Sequence, residues 1–402
     1  MQNTRKGKFG VFIIFMMMFL APFIENTRGI FIPIFKEDFG VSNTIISAML
    51  TVVSIMGMGV TLLGGAITEK IGQKRTIFLG ILCLISGILM QSQARSFTMF
   101  FIGLIPIITG INLYNVAANT IIPIMFAGTS TIAMNLLHFM YGAGSTVSQN
   151  TIGLLLDRGI TWRNMYVYIA LLYTIILLVF KFAKIPNAPK VMISEGKGEN
   201  ILRNPLLYAF GLALGFYAFA EQGMSLWLTN YLKDNFALRE SIGARYIGIF
   251  FLVFAVGRLL GGFLVQKAGV LRSVTFSQLI ALVLFLGGIL LGEEYIIIIS
   301  ISGLFFAIIY PSLLSMVTGI FRERPGYATG IVITLVSLVL NSMNMAMGIM
   351  TDVIGSSLSI YLLPLSMGMS ILCVAYIRMK TGKNVREGMK ASKGNDRMKS
   401  QE

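Results

Sequence analysis

The sequence predicts an all-α polytopic membrane protein: twelve transmembrane helices in two six-helix halves of parallel orientation. Three observations carry this expectation. Of 402 residues, 55% are hydrophobic and only 12% are charged, about half the ~25% charged share of a soluble domain. Apolar runs of about 20 residues, the length that crosses ~30 Å of hydrocarbon as a helix, recur from end to end. One fourteen-residue stretch occurs twice, at equivalent places in the two halves.

The predicted spans fall at roughly 9–33, 44–67, 76–94, 98–122, 131–156, 164–183, 205–230, 242–266, 273–292, 296–320, 327–351 and 357–378. When alternate connections are assigned to one side, the side holding the N-terminus collects 23 of the 32 Lys and Arg. The other side holds 7, and 2 (Arg28 and Arg258) lie within spans. The positive-inside rule then places both termini and the long middle connection in the cytoplasm, with the spans in the cell membrane. The net charge of +15 is therefore mainly topology, with attraction to anionic headgroups as a secondary effect, and no nucleic-acid partner is called for. Cys83 and Cys373 both fall inside apolar spans, which suggests neither a disulfide nor a metal site. No small-residue cleavage site follows the first apolar run, so span 1 is expected to be retained.

"KIPNAPKVMISEGKGENILRNP" (Lys184–Pro205) is the one long polar interruption, and it divides the spans six and six. The expected organisation is a half at 1–183, a linker at 184–204, a second half at 205–380 and a basic tail at 381–402. "LLGGAITEKIGQKR" (Leu62–Arg75) and "LLGGFLVQKAGVLR" (Leu259–Arg272) align without a gap at an offset of 197, with seven of fourteen positions identical. Each copy ends the second span of its half.

Polar residues inside spans mark candidate chemistry, because a charge at mid-bilayer costs on the order of 2.5–3.5 kcal/mol on insertion scales. Span 1 ends in "FIENTRGIFIP" (Phe23–Pro33), with Glu25, Asn26 and Arg28 beyond the midplane toward the outer half. Glu25 and Arg28 are one turn apart, so they form either an intrahelical ion pair or a solute or proton site. Span 4 places Asn112, Asn115 and Asn119 at helical spacing on one face. Span 5 carries Asn135, His138, Ser145 and Gln149 on a similar face, with Tyr141 and Ser148 beside it. Span 7 supplies Tyr217, Glu221, Gln222, Ser225 and Trp227, span 10 Tyr310, and span 11 Asn341, Ser342 and Asn344. Singly, each residue reads equally well as interhelical hydrogen bonding; as a set, the stripes point to a hydrated central cavity. Trp227 reads either as a stacking surface for a sugar or as an interface anchor. His138, the one histidine, suits a proton relay or a hydrogen bond to solute. No HExxH, nucleophile elbow or P-loop occurs, so neither an enzyme nor an ATP-driven pump is expected, and no cofactor or metal.

Two parallel six-helix halves are the architecture of the major facilitator superfamily, and the first duplicated loop resembles that family's signature between helices 2 and 3. The matching residues are Gly65, Glu69, Lys70, Gly72, Lys74 and Arg75, with Glu and Lys where the family usually has Asp and Arg. Gly64 and Gly65 suit close helix approach, and a carboxylate at the junction suits the positive end of a neighbouring helix. The resemblance implies that this neighbour is helix 11, beginning near Tyr327, and that the contact locks one gating state. In the second half Arg258, Gly262, Lys267 and Gly269 fall to the same gating role.

Within the superfamily, "NVAANTIIP" (Asn115–Pro123), "NLLHFMYGAGS" (Asn135–Ser145) and "ENTRGIFIP" (Glu25–Pro33) resemble the fucose permease group of sugar–proton symporters. The family's span 4 glutamate falls on Asn115 and its asparagine on Asn119. Its span 1 acid falls on Gly29, and a polar amide of span 5 falls on His138. Both coupling carboxylates implied by the resemblance are thus displaced. Glu25 offers one a turn earlier on the same face, and Glu221 and His138 are the other candidates. The amides at the outer end of span 5 favour a hydroxyl-rich ligand over a greasy drug. The expectation is a proton-coupled transporter of a sugar or sugar derivative, acting by alternating access in the bilayer as a monomer. A proton-coupled exporter of amphiphiles, whose adaptable pocket the 25 methionines would suit, is the first alternative. A non-transporting membrane receptor is the other.

Overall fold

A computed structural model describes residues 4–126, 130–183, 201–321 and 325–399. The side chains of 4–9, 62, 69, 120, 123–124, 130–135, 138, 262–264, 266, 325–327 and 382–399 lie outside the description. The helices are α1 (Thr4–Leu20), α2 (Pro22–Glu25), α3 (Arg28–Phe39), α4 (Asn43–Ile71), α5 (Gln73–Ser92), α6 (Phe97–Met125), α7 (Ser130–Asp157) and α8 (Trp162–Lys181). The second set is α9 (Pro205–Phe236), α10 (Glu240–Ala268), α11 (Val270–Leu291), α12 (Ile297–Phe306), α13 (Ile309–Ile320), α14 (Pro325–Ile354), α15 (Ser356–Ser359) and α16 (Leu362–Lys399). Ten stretches among the described residues are long and apolar enough to cross a bilayer. α7 and α9, of 28 and 32 residues, are also long enough at ~1.5 Å per residue and complete the twelve spans. The expected linker lies mostly outside the described residues.

Local chemistry starts these helices where the sequence changes character. Ser42, Ser96 and Thr161 accept from the backbone N–H three residues on, and Asn204 caps α9 ahead of Pro205 at its first position; such oxygens satisfy donors that the helix leaves free. The duplicated loops are duplicated in backbone as well. Gly72 has φ 86° and ψ 155°, and Gly269 has φ 83° and ψ 151°. Both donate their N–H to the carbonyl four residues back, Thr68 and Val265. That region of backbone space is essentially restricted to glycine, which explains why the repeat keeps glycine there.

Two predicted spans are not continuous helices. Span 1 is interrupted at Ala21 and again at Asn26–Thr27, and span 10 at Ala307–Ile308. Pro22 and Pro311 stand beside these interruptions, and each lacks the N–H that would tie it to the preceding turn.

The halves meet chiefly along three helix pairs, α3 with α9, α4 with α14 and α7 with α10, with a smaller contact of α3 with α10. Taking "inner" as the end where α1 begins, these pairs touch at their outer ends. The backbone of α3 at Gly29 lies against Ser225 and Leu226 of α9, and that of α14 at Gly348 against Ser47 of α4. Toward the inner ends of α4 and α14, both Gly65 and Gly330 face open space. Among the described residues, the polar contacts between the halves concentrate at the outer side.

Candidate functional site

The interruption in span 1 creates the most connected polar site. Thr27 turns back on the chain and its hydroxyl donates to the Phe23 carbonyl at 2.7 Å. The Asn26 carbonyl, free of a helical partner, accepts from Gln149 Nε2 at 2.9 Å. Asn26 Nδ2 donates to Ser145 Oγ at 2.8 Å. The Tyr141 hydroxyl stands between two acceptors, 2.8 Å from Glu25 Oε2 and 3.0 Å from Asn26 Oδ1. Tyr141, Ser145 and Gln149 recur at four-residue spacing on α7, so one face of that helix holds the break in place. A phenol has one proton. With Glu25 ionised, Tyr141 donates to the carboxylate. With Glu25 protonated, the carboxyl donates to Tyr141, which is then released to donate to Asn26.

Glu25 and Arg28 do not form the ion pair that their spacing allows. Among the described residues no Glu25–Arg28 salt bridge occurs, because Glu25 is engaged by Tyr141 and the helix is interrupted between them. Arg28 instead lines a small apolar recess with Ile32, Phe35, Ile46, Met49 and Phe100, and its Nη2 is buried without a partner.

In the second half Glu221 is half-buried on α9. Tyr217, one turn earlier, and Arg258 of α10 are close enough to act on its charge. The Tyr217 hydroxyl donates to the Phe306 carbonyl at 2.8 Å, at the interruption between α12 and α13, and its ring centroid lies 6.4 Å from that of Tyr310. Arg258 stacks on Phe254 at 4.5 Å. As the sequence places it, it sits within the span, near Glu221. Trp227 is 1% exposed and donates to Asn344 Oδ1 at 3.1 Å. It joins α9 to α14, so neither sugar stacking nor interface anchoring describes it. Gln222 is exposed.

The asparagine stripe of α6 divides. Asn112 accepts from Thr61 Oγ1 at 2.7 Å and donates to the Ile108 carbonyl at 2.8 Å, which ties α6 to α4. Asn115 is half-buried and Asn119 exposed. Asn341 donates to the Ser337 carbonyl at 2.8 Å, and its own carbonyl receives Thr51 at 3.5 Å across the halves. The side chains of Asn135, His138 and Glu69, and the surroundings of Gly262, lie outside the described residues. At the inner loops Lys70, Arg75 and Lys267 are exposed, and Lys74 donates to the Lys181 carbonyl at 3.2 Å. Gly65 meets nothing within 4 Å in this conformation; of the glycine pair, Gly64 is the one packed, against Leu113 and Val116.

Sequence reading missed the outer contacts between the halves. Lys36 donates to Asn230 at 3.1 Å, and Lys233 bridges Glu37 and Glu240 at 2.5 and 2.7 Å. Partial burial pushes the Lys233 ammonium down, but its hydrogen bonds to Glu240 and Glu37 outweigh this and hold it above the ordinary lysine value. Asp352 and Asp157 join α14 to α4 and α7 to α10. The hydrogen bond from Ser241 outweighs the opposing effect of burial and, with the charges of Arg239 and Arg245, holds the Asp157 carboxyl below the usual range. Within the first half, Trp162 and Arg163 both donate to Asp38 Oδ2 at 2.8 Å, which joins the start of α8 to the end of α3. The available signal was the charged residues just beyond the predicted ends of spans 1 and 7.

Comparison with known proteins agrees with this architecture. The chain is 24% identical over 384 residues to a glucose/galactose transporter of Brucella abortus biovar 1, covering 90% of each. Among solved structures it is similar to a bacterial homolog of the human lysosomal transporter Spinster in an inward-facing, unoccupied conformation. That match has a TM-score of 0.72 and 15% identity, covering 93% of this chain and 96% of that one. It is also similar to the E. coli fucose:proton symporter, with a TM-score of 0.62 and 17% identity over 91% and 98% of the two chains. The family model described as Major Facilitator Superfamily matches residues 14–340. With that match spanning most of the chain and the twelve helices paired across two repeated halves, the protein belongs to the major facilitator superfamily.

Proposed function

We propose that this protein is a secondary active transporter in the cell membrane, with both termini cytoplasmic. It carries a sugar or sugar derivative together with protons by alternating access. The observation that carries the reading is the Glu25–Tyr141–Asn26 network, an ionisable group wired by hydrogen bonds to a break in a helix at the half interface. Broken helices at the interface between repeats are where transporters of this kind place solute and coupling ion. The names of the glucose/galactose transporter and the fucose:proton symporter support a sugar as the solute. So do the amides of Asn115 and Asn119, half-buried and exposed on α6, which suit hydroxyl groups.

In this reading Glu25 takes up a proton and Tyr141 turns from Glu25 to Asn26. The contacts that fix the break then change with the protonation state. Arg28 and the Glu221–Arg258 neighbourhood supply polar groups on either side of the cavity. The test is uptake of labelled hexoses, deoxyhexoses and amino sugars into proteoliposomes under an inward-directed proton gradient. Gradient-dependent accumulation of one sugar class is expected. No accumulation of any sugar, with gradient-driven movement of amphiphiles instead, would replace this reading with efflux.

A further inference from the structure

The molecule has a second helix break, at Ala307–Ile308 between α12 and α13, and its polar groups are left incompletely matched. α9 and α10 flank it. Gly257 of α10 lies against the Leu304 carbonyl and Ala307, and Gly261 against Ile308. From α9 the Tyr217 ring reaches Phe306 at 5.8 Å and Tyr310 at 6.4 Å between centroids. Phe250 joins the walls, 5.6 Å from Phe306 and 6.0 Å from Phe254, and Arg258 stacks on Phe254 at 4.5 Å. Glu221, Arg258 and Tyr310 are half-buried here, among rings that are buried. Arg258 is near enough to act on the Glu221 charge, yet the salt bridges among the described residues all lie at the outer ends and include neither.

Counting donors and acceptors shows what is missing. A phenol has one proton. Tyr217 gives it to the Phe306 carbonyl at 2.8 Å, so it has none for an ionised Glu221 beside it. Arg258 Nε is buried without an acceptor. The site therefore holds one acceptor short of a donor and one donor short of an acceptor. A hydroxyl is both. A carboxylate would accept from Arg258 but meet Glu221 as a like charge, and an ammonium would do the reverse. We propose that the second break is a solute subsite for a neutral polyol, whose hydroxyl groups are held between the Glu221 carboxylate and the Arg258 guanidinium. Sugar acids and amino sugars are then disfavoured. The inference rests on the transport reading above and gives its solute a chemical class.

The subsite is tested by calorimetric binding to the full-length chain in lipid nanodiscs. The probes are glucose and galactose, with glucuronate, galacturonate, glucosamine and galactosamine. Glucose or galactose should bind tighter than its own acid and amine by at least about tenfold, the ratio that losing one hydrogen bond to a charged group gives. Glu221→Gln removes the negative charge at constant shape. It should weaken the neutral hexose and narrow its lead over the acid. Arg258→Gln should weaken it too, and narrow its lead over the amine. A merely structural role would weaken all three by one factor. The proposal is overturned if the acid or the amine binds as tightly as the neutral hexose to the unaltered protein. It is overturned equally if the variants change all three alike or none, or if no probe binds. Either variant alone decides where the other does not give monodisperse protein. Gradient-driven accumulation of a sugar acid would overturn the subsite and leave the transport reading standing. Selective binding without gradient-driven movement would do the opposite.

Discussion

Spans 1 and 7 open the two halves and each carries one acid, Glu25 and Glu221, yet the two are held differently. Glu25 sits beside an interruption, and its hydrogen-bond partner Tyr141 comes from another helix, α7. Glu221 sits in an unbroken helix of 32 residues, and its neighbour Tyr217 belongs to the same helix. A shift of α2 against α7 must break the bonds of Glu25, whereas α9 carries Tyr217 along with Glu221. The lesson is that equivalent acids in a duplicated fold need not share a role: Glu25 is hydrogen-bonded directly to a second helix, whereas Glu221 reaches one through Tyr217, whose hydroxyl meets the Phe306 carbonyl.

The largest expected effect comes from the span 1–span 7 contact itself. Gly29 lies against the Ser225 carbonyl and the Leu226 backbone, so a side chain there has no flexible neighbour to displace. Gly29→Leu should abolish transport; normal uptake would show that the two spans need not meet as they do here. Next, Tyr141→Phe removes a hydrogen bond to a charged group, a contact of about 1.5–3 kcal/mol. It should slow proton-driven uptake by at least about tenfold while leaving melting temperature nearly unchanged. An uptake rate equal to that of the unaltered protein would dissolve the distinction between the two acids. Glu221→Gln should retain proton-driven accumulation and change mainly the sugar concentration giving half-maximal rate. Loss of accumulation there would make the two acids partners.

The smallest effect concerns the outer contacts, and it separates them from the proton site. The Asp157 carboxyl is held below the usual range in the closed state. Its contribution is therefore complete above the ordinary carboxylate value of ~3.9 and is lost only as pH falls through the lower, closed-state value. The separation of spin labels at Gln93 and Glu294, exposed at the outer ends of the two halves, should stay flat between external pH 8 and 5. Opening within that window would place a proton sensor in the outer contacts and weaken the case for Glu25.

The fold was largely legible because its signals are local. Apolar runs marked the spans, charge asymmetry ordered the connections, and the offset of 197 exposed the two halves. The backbone then showed why, with Gly72 and Gly269 in a conformation only glycine adopts. The break at Asn26–Thr27 was not legible, because hydropathy measures whether a segment is apolar and is blind to whether its helix is continuous. The polar residues "ENTR" were noticed, but their spacing suggested a Glu25–Arg28 pair, and the competing phenol of Tyr141 lies 116 positions away. Trp227 was misread for a similar reason: position near a span end suggested an interface, while its partner Asn344 is 117 positions distant. The helices also outrun the predicted spans, α3 to Phe39 and α9 to Phe236. Lys36, Glu37, Lys233 and Asp234, treated as loop charges, therefore stand on adjoining helical turns and bridge the halves.

The most direct measurement compares two transport modes of Glu25→Gln in proteoliposomes, using whichever sugar the unaltered protein accumulates. Exchange of labelled for unlabelled sugar needs the cavity and the alternation of access, but no net proton movement. Accumulation under a proton gradient needs the coupling acid as well. Retained exchange with accumulation lost is the result expected if Glu25 couples proton to solute. Full accumulation by Glu25→Gln would contradict that role and place coupling elsewhere in the cavity.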